Sequence, residues 1–175
     1  MIDFTDISYL KNGNIKQRAV FNLLINNRIL DLLATFNPIL AGTIPLNIDI
    51  EKSDLDIICY WKDKDEFVSV ILSQFSDKES FQIKDAVINN QETVIANFFI
   101  DDFEIEIFGQ NIPSHQQTAF RHMLVEYKIL LEKGEDFRNA VIELKRQGIK
   151  TEPAFAELLG LTGNPYESLL AFEEK

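Results

Sequence analysis

Two pairs of carboxylates carry the chemistry available to this sequence. Asp54 and Asp56 stand in Asp54-Leu55-Asp56-Ile57-Ile58-Cys59-Tyr60-Trp61, and Glu104 and Glu106 alternate with Phe103, Ile105 and Ile107. Side chains on a strand point to alternate faces, so each pair shares a face, with its Cα atoms about 6–7 Å apart. Leu55 and Ile57 then turn to the core. Carboxylates about 5 Å apart at an effective dielectric near 20 repel by roughly 3 kcal/mol. A divalent cation converts that repulsion into binding. Mg²⁺, or Mn²⁺ in its place, suits one or two carboxylates completed by water and phosphate oxygens. If the two strands are neighbours, a third carboxylate joins the first two, and three can hold two metal ions.

Upstream of the first pair stands Gly42-Thr43, separated from Asp54 by ten residues. Gly42 offers a turn without a Cβ, which lets backbone N–H groups approach a phosphate. Thr43 adds a hydroxyl donor. Other polar groups have plainer readings. Glu104 and Glu106 fit equally the charged face of an edge strand. His115 and His122 are the only histidines; His122 and Glu126 are spaced for an i,i+4 pair, with Arg121 and Lys128 nearby. A solvated helix face explains that group without a ligand. Cys59, in an apolar run, reads as a core thiol. Lys145, Arg146 and Lys150 suit the C-terminal end of a helix dipole.

Hydrophobic periodicity supplies the elements that must position these residues. Residues 14–36 read as one helix stopped by Asn37-Pro38. Residues 39–41 read as a buried strand, 44–53 as a polar loop and 54–61 as an interior strand. An amphipathic helix follows at 64–75. Strands are expected at 79–88, 92–100 and 103–109, with tight turns at Asn89-Asn90 and Asp101-Asp102. The period is helical from Pro113 onward. Helices are expected at 114–132 with Ser114 as N-cap, at 135–147, at 151–159 with a capping Thr151, and after Asn164-Pro165. The fold class is α+β or α/β: a mixed sheet of about five strands flanked by helices. A core spans 1–112, and a helical C-terminal part packed on it spans 113–175.

The whole chain is 175 residues long with a net charge of −11. That length buries a core without staples, and 14 Phe residues imply a phenylalanine-rich one. The negative charge disfavours long nucleic acids and anionic membranes as partners. It leaves small molecules, metals and proteins. A single cysteine excludes an internal disulfide and Cys-rich zinc sites. The lone thiol, the lack of a signal-like start and the lack of an 18-residue apolar run lead to the expectation of a cytoplasmic protein without a membrane span.

These motifs together resemble the nucleotidyltransferase superfamily, which includes DNA polymerase beta, the aminoglycoside nucleotidyltransferases and small bacterial antitoxin-type enzymes. Its signature of a Gly-Ser or Gly-Gly turn, a loop of about ten residues, an Asp-x-Asp strand and a later acid corresponds to Gly42-Thr43, the loop ending at Ser53, Asp54/Asp56, and Glu106 or Glu104. Thr43 and the Glu depart from the commoner Ser or Gly and Asp. Glu106 is preferred because it precedes the Ile107-Phe108-Gly109 strand end. The runs Glu106–Gln110, Arg121-His122-Met123, Lys150–Phe155 and Gly163–Tyr166 also resemble an uncharacterised bacterial nucleotidyltransferase-like family. The resemblance implies a fold and a set of roles. Asp54 and Asp56 would coordinate Mg²⁺, and Glu106 would ligate metal or act as base. Gly42 and Thr43, with Ser53 beside the acids, would hold the triphosphate. The implied reaction moves a nucleoside monophosphate from a nucleoside triphosphate to a hydroxyl of a small molecule or protein. The alternative is a non-catalytic nucleotide-binding module, or an antitoxin-like module that binds a protein partner.

Overall fold

A computed structural model describes residues 2–172, and those residues form two compact units. One takes the described residues up to Ala41 together with Asp54–Gln117. The other takes Gly42–Ser53 together with the residues from Thr118 onward.

The first unit holds a mixed five-stranded sheet of order β1-β2-β5-β4-β3. The strands are β1 Ile39–Ala41, β2 Leu55–Tyr60, β3 Glu79–Ile88, β4 Gln91–Ile100 and β5 Phe103–Gln110. β2 and β5 run parallel; the other neighbours are antiparallel. The β3–β4 turn places Asn89 at φ 52° and Asn90 at φ 60°, the paired left-handed residues of a tight hairpin whose twist matches its strands. Asp101 supplies φ 52° at the next turn.

One sheet face carries Leu55, Ile57, Phe98, Ile105 and Ile107, all buried. Helix α3, Lys64–Phe75, is capped by Asp63, whose carboxylate accepts from the Glu66 N–H at 3.1 Å. It buries Phe67, Ile71 and Phe75. Phe75 stacks on Phe98 with ring centroids 5.0 Å apart, and Phe67 meets Phe36 edge-on at 4.9 Å. Gly109 is required here, because a Cβ on it would lie 2.3 Å from the Phe67 ring.

The helix expected over 14–36 is broken. α1 spans Ile15–Asn26 and α2 spans Ile29–Leu32, with a 3-10 turn at Ala34–Phe36. Asn14 and Gln17 form a reciprocal capping box at the start. At the break, Asn27 donates its amide to the Leu23 carbonyl at 2.9 Å, and Arg28 turns left-handed at φ 54°. A side chain that bonds back to the backbone competes with the next helical turn.

In the second unit, α4 Thr118–Lys133, α5 Glu135–Arg146, α6 Thr151–Leu159 and α7 Pro165–Leu170 pack in sequence, and α7 returns to α4. Two expected caps are not made. Ser114 opens a 3-10 turn that precedes α4, and its hydroxyl donates to the Asn37 carbonyl at 2.6 Å. Lys150, not Thr151, is the N-cap of α6, so Pro153 falls in the first turn, where its missing N–H costs nothing. Asn164 does cap α7, accepting from the Tyr166 N–H at 3.0 Å. The loop expected to be polar at 44–53 buries Ile44, Leu46 and Ile48.

Candidate functional site

The second sheet face carries the carboxylates. Asp56 on β2 lies directly opposite Glu106 on β5. The same row continues to Ala41 on β1 on one side, and to Asn97 on β4 and Gln82 on β3 on the other. Residues opposite one another in a ladder share a face, so the row is Ala41, Asp56, Glu106, Asn97 and Gln82. Asp54 sits one residue before β2 and is half-buried like Asp56.

Asn97 is the member of this row that sequence reasoning missed. Its amide donates to Glu106 Oε2 at 3.3 Å and lies 3.5 Å from Glu104 Oε1. Its sequence signal was a lone amide inside the apolar run Val94–Ile100. Glu106 is half-buried and Glu104 exposed. Burial holds the Glu106 carboxyl above the usual carboxylate range. The Asn97 hydrogen bond acts against this, the charges of Asp54 and Glu104 add to it, and Lys84 offsets it. A cavity of about 310 Å³ opens beside Glu106, with Ser80, Gln82, Lys84, Asn97 and Phe99 in its wall.

The donor chemistry fits a hard divalent cation: oxygen ligands only, two of them facing across adjacent strands, with the negative charge of Asp54 and Glu104 felt at Glu106. Among the described residues, no three His, Cys, Asp or Glu side chains stand close enough together to hold a metal as a preformed cluster. A metal here would therefore rest on the facing acids and on further oxygens from water or substrate.

In the other unit, Gly42–Ser53 forms a strap, starting with Gly42 at φ 78° and turning at Asn47, φ 57°. Thr43 Oγ1 donates to Ser53 Oγ at 3.3 Å, and Ser53 Oγ also accepts the Ile50 N–H at 2.9 Å. The Ile48 N–H donates to the Thr43 carbonyl at 3.2 Å. Cations of α5 bond to the strap. Arg138 donates to the Leu46 carbonyl, Lys145 to the Ile48 carbonyl at 2.7 Å, and Arg146 pairs with Glu51 at 3.0 Å. The helix-end cluster at 145–146 thus has specific acceptors in addition to the dipole.

The solvated face expected around His122 is not there: His122 and Glu126 are both buried. His122 Nε2 donates to the Tyr166 carbonyl at 2.9 Å, and its Nδ1 lies 3.5 Å from Glu152. Burial pushes the Glu126 carboxyl up to about 8; the Glu152 charge adds to the rise and Lys145 opposes it. Cys59 is buried as expected, which raises its thiol far above its usual range.

A family model described as Domain of unknown function (DUF4269) matches residues 22–172. No curated protein matches the sequence. Solved structures share the fold at low identity, among them the three that follow. The GLD-2/RNP-8 complex aligns with a TM-score of 0.53 and 16% identity, covering 87% of this chain and 61% of the other. Cid1, named for RNA terminal uridylyl transferase activity, gives 0.52 and 12%, covering 74% and 39%. The polymerase core of TRAMP, an RNA surveillance complex, gives 0.51 and 10%, covering 93% and 50%. The chain therefore spans between about two fifths and three fifths of those structures. Its mixed five-stranded sheet with flanking helices is the nucleotidyltransferase fold. Among the described residues, no helix is long and apolar enough to cross a membrane.

Proposed function

The chain belongs to the family described as Domain of unknown function (DUF4269), and we propose that it is a metal-dependent nucleotidyltransferase. The reading is that it moves a nucleoside monophosphate from a nucleoside triphosphate to a hydroxyl of a small molecule or protein. The observation that carries it is the register of Asp56 against Glu106 on one sheet face. The fold alone supports less, because one fold hosts many activities.

The acceptor oxygen forms a bond to the α-phosphorus, the bond from that phosphorus to the bridging oxygen breaks, and pyrophosphate leaves. Asp54, Asp56 and Glu106 are the residues assigned to Mg²⁺, or Mn²⁺ in its place; the facing pair Asp56 and Glu106 would hold it, with Asp54 drawn in when it binds. When bound there, the ion would supply charge neutralisation at the phosphate oxygens. Alternatively Glu106 leaves the metal to the two aspartates and acts as the base that takes the acceptor's proton, from a place beside them on the same sheet face. Gly42, Thr43 and Ser53 are assigned to the triphosphate; the convergence of the two hydroxyls in the strap supports this. The cavity beside Glu106 has the size of a small-molecule pocket, at the lower end of the roughly 300–1,000 Å³ range. It suits a small acceptor better than a polymer.

Thermal melting with Mg²⁺ and each of the four ribonucleoside triphosphates tests this. Stabilisation of the wild-type chain that is absent without Mg²⁺ and lost in Asp54→Asn/Asp56→Asn supports the assignment. Stabilisation that ignores metal and both substitutions favours a non-catalytic nucleotide-binding module. No stabilisation at all favours a protein-interaction role.

A further inference from the structure

We propose that Lys145 and Arg138 are positioning residues for the Gly42–Ser53 strap, holding it in the form in which the Thr43 and Ser53 hydroxyls converge on a phosphate. The inference rests on the triphosphate role assigned to that strap above. The two cations are seven residues apart, two turns of α5, and so share a helix face. They meet successive strap carbonyls: Arg138 bonds Leu46 and reaches Asn47 at 3.4 Å, and Lys145 bonds Ile48. The path from Lys145 to the hydroxyls is short. Ile48 accepts from Lys145 through its carbonyl and donates its N–H to the Thr43 carbonyl, and Thr43 donates its hydroxyl to Ser53.

The chemistry of Lys145 favours positioning over simple packing. Its side chain is buried. Its ammonium acts on the Glu126 carboxyl as well as on the Ile48 carbonyl, and an apolar side chain of similar length would fill the space but leave the Ile48 carbonyl without this donor. What the ammonium adds is direction. It specifies one orientation for the Ile48 peptide, whereas an apolar contact would accept several. The left-handed turn at Asn47, φ 57°, lies between the two held carbonyls Leu46 and Ile48, where a peptide orientation is most easily lost.

The test is calorimetric binding of magnesium tripolyphosphate to the full chain, which probes phosphate capture without a base or ribose. Lys145→Met keeps the length and removes the charge. It is expected to weaken tripolyphosphate binding at least tenfold, while Mn²⁺ affinity measured without phosphate stays within twofold. Lys145→Arg is expected to return within threefold of wild type. Arg138→Leu, at a partly exposed position, is expected to weaken tripolyphosphate binding in the same sense, and it decides the matter if Lys145→Met does not fold. Variants that bind tripolyphosphate as wild type does would overturn the inference alone. Loss of tripolyphosphate and Mn²⁺ binding together would also overturn it, because that marks general damage. A wild-type chain that binds neither tripolyphosphate nor any magnesium nucleoside triphosphate would overturn the triphosphate assignment and this inference with it.

Discussion

Asp56 and Glu106 face each other across the parallel pair of strands in the sheet, β2 and β5, with Asn97 on β4 next in the same row. The pairing brings together two acids fifty positions apart in sequence. Their proximity to Asp54 and Glu104 is felt at Glu106, whose carboxyl is held above its usual range mainly by burial.

Removing one member of that pair is expected to abolish metal-linked nucleotide binding. A ligand at 100 times its dissociation constant adds about 2.7 kcal/mol, which raises the melting midpoint of a chain this size by roughly 5–10 °C. Asp56→Asn and Glu106→Gln should each show no such rise with Mg²⁺ and the best nucleoside triphosphate. Glu106→Gln should melt at or above the wild-type temperature without ligand, because the burial of its charge and the repulsion from Asp54 and Glu104 are relieved. Differential scanning fluorimetry reads both.

Gly109→Ala is expected to destabilise the first unit by about 1–3 kcal/mol, the usual cost of overpacking a filled core. The added methyl meets the Phe67 ring at 2.3 Å and 2.6 Å, and Phe67 is itself held edge-on by Phe36. Urea denaturation followed by far-ultraviolet circular dichroism would show a lower midpoint with an unchanged slope. A midpoint equal to wild type would mean that α3 shifts freely.

Glu126 imposes a pH dependence of known sign. Its folded carboxyl is pushed up to about 8, whereas the free group titrates near 4.5. Between those values the folded state holds a proton that the unfolded state has lost, so stability falls as pH rises through that window. Glu126→Gln removes this term. The variant should gain stability relative to wild type as pH is raised from about 5 to 8, with the two converging at low pH. Denaturation curves at several pH values that run parallel for both proteins would count against it.

Cys59 should resist thiol reagents in the native state. Its thiol is buried and held protonated, and only the thiolate attacks. Labelling with a disulfide reagent is expected to proceed at the rate of global opening and to speed up with denaturant. Prompt labelling in native buffer would show that β2 is reached by local opening.

Much of this protein was written into the sequence at short range. The alternating runs at 79–88 and 103–109, the Asn89-Asn90 turn and the helix at 64–75 follow from periods and turn residues that act over a few positions, and these elements form where the sequence places them to within a residue. The shared face of Asp54 and Asp56, and of Glu104 and Glu106, follows from strand alternation alone. Only the tertiary structure set the register that puts Asp56 opposite Glu106 and Asn97 beside it, since pairing depends on which strands become neighbours and on the packing of Phe75 against Phe98. It also decided where charge is buried. His122 and Glu126 look solvated in sequence because polar side chains usually are, yet both are enclosed with Lys145: His122 and Lys145 bond the distant carbonyls of Tyr166 and Ile48, and Glu126 is held protonated by burial, with the Lys145 charge opposing the rise. Local patterns report what a segment prefers. The partners that make a buried charge tolerable come from other segments, and no local pattern encodes them.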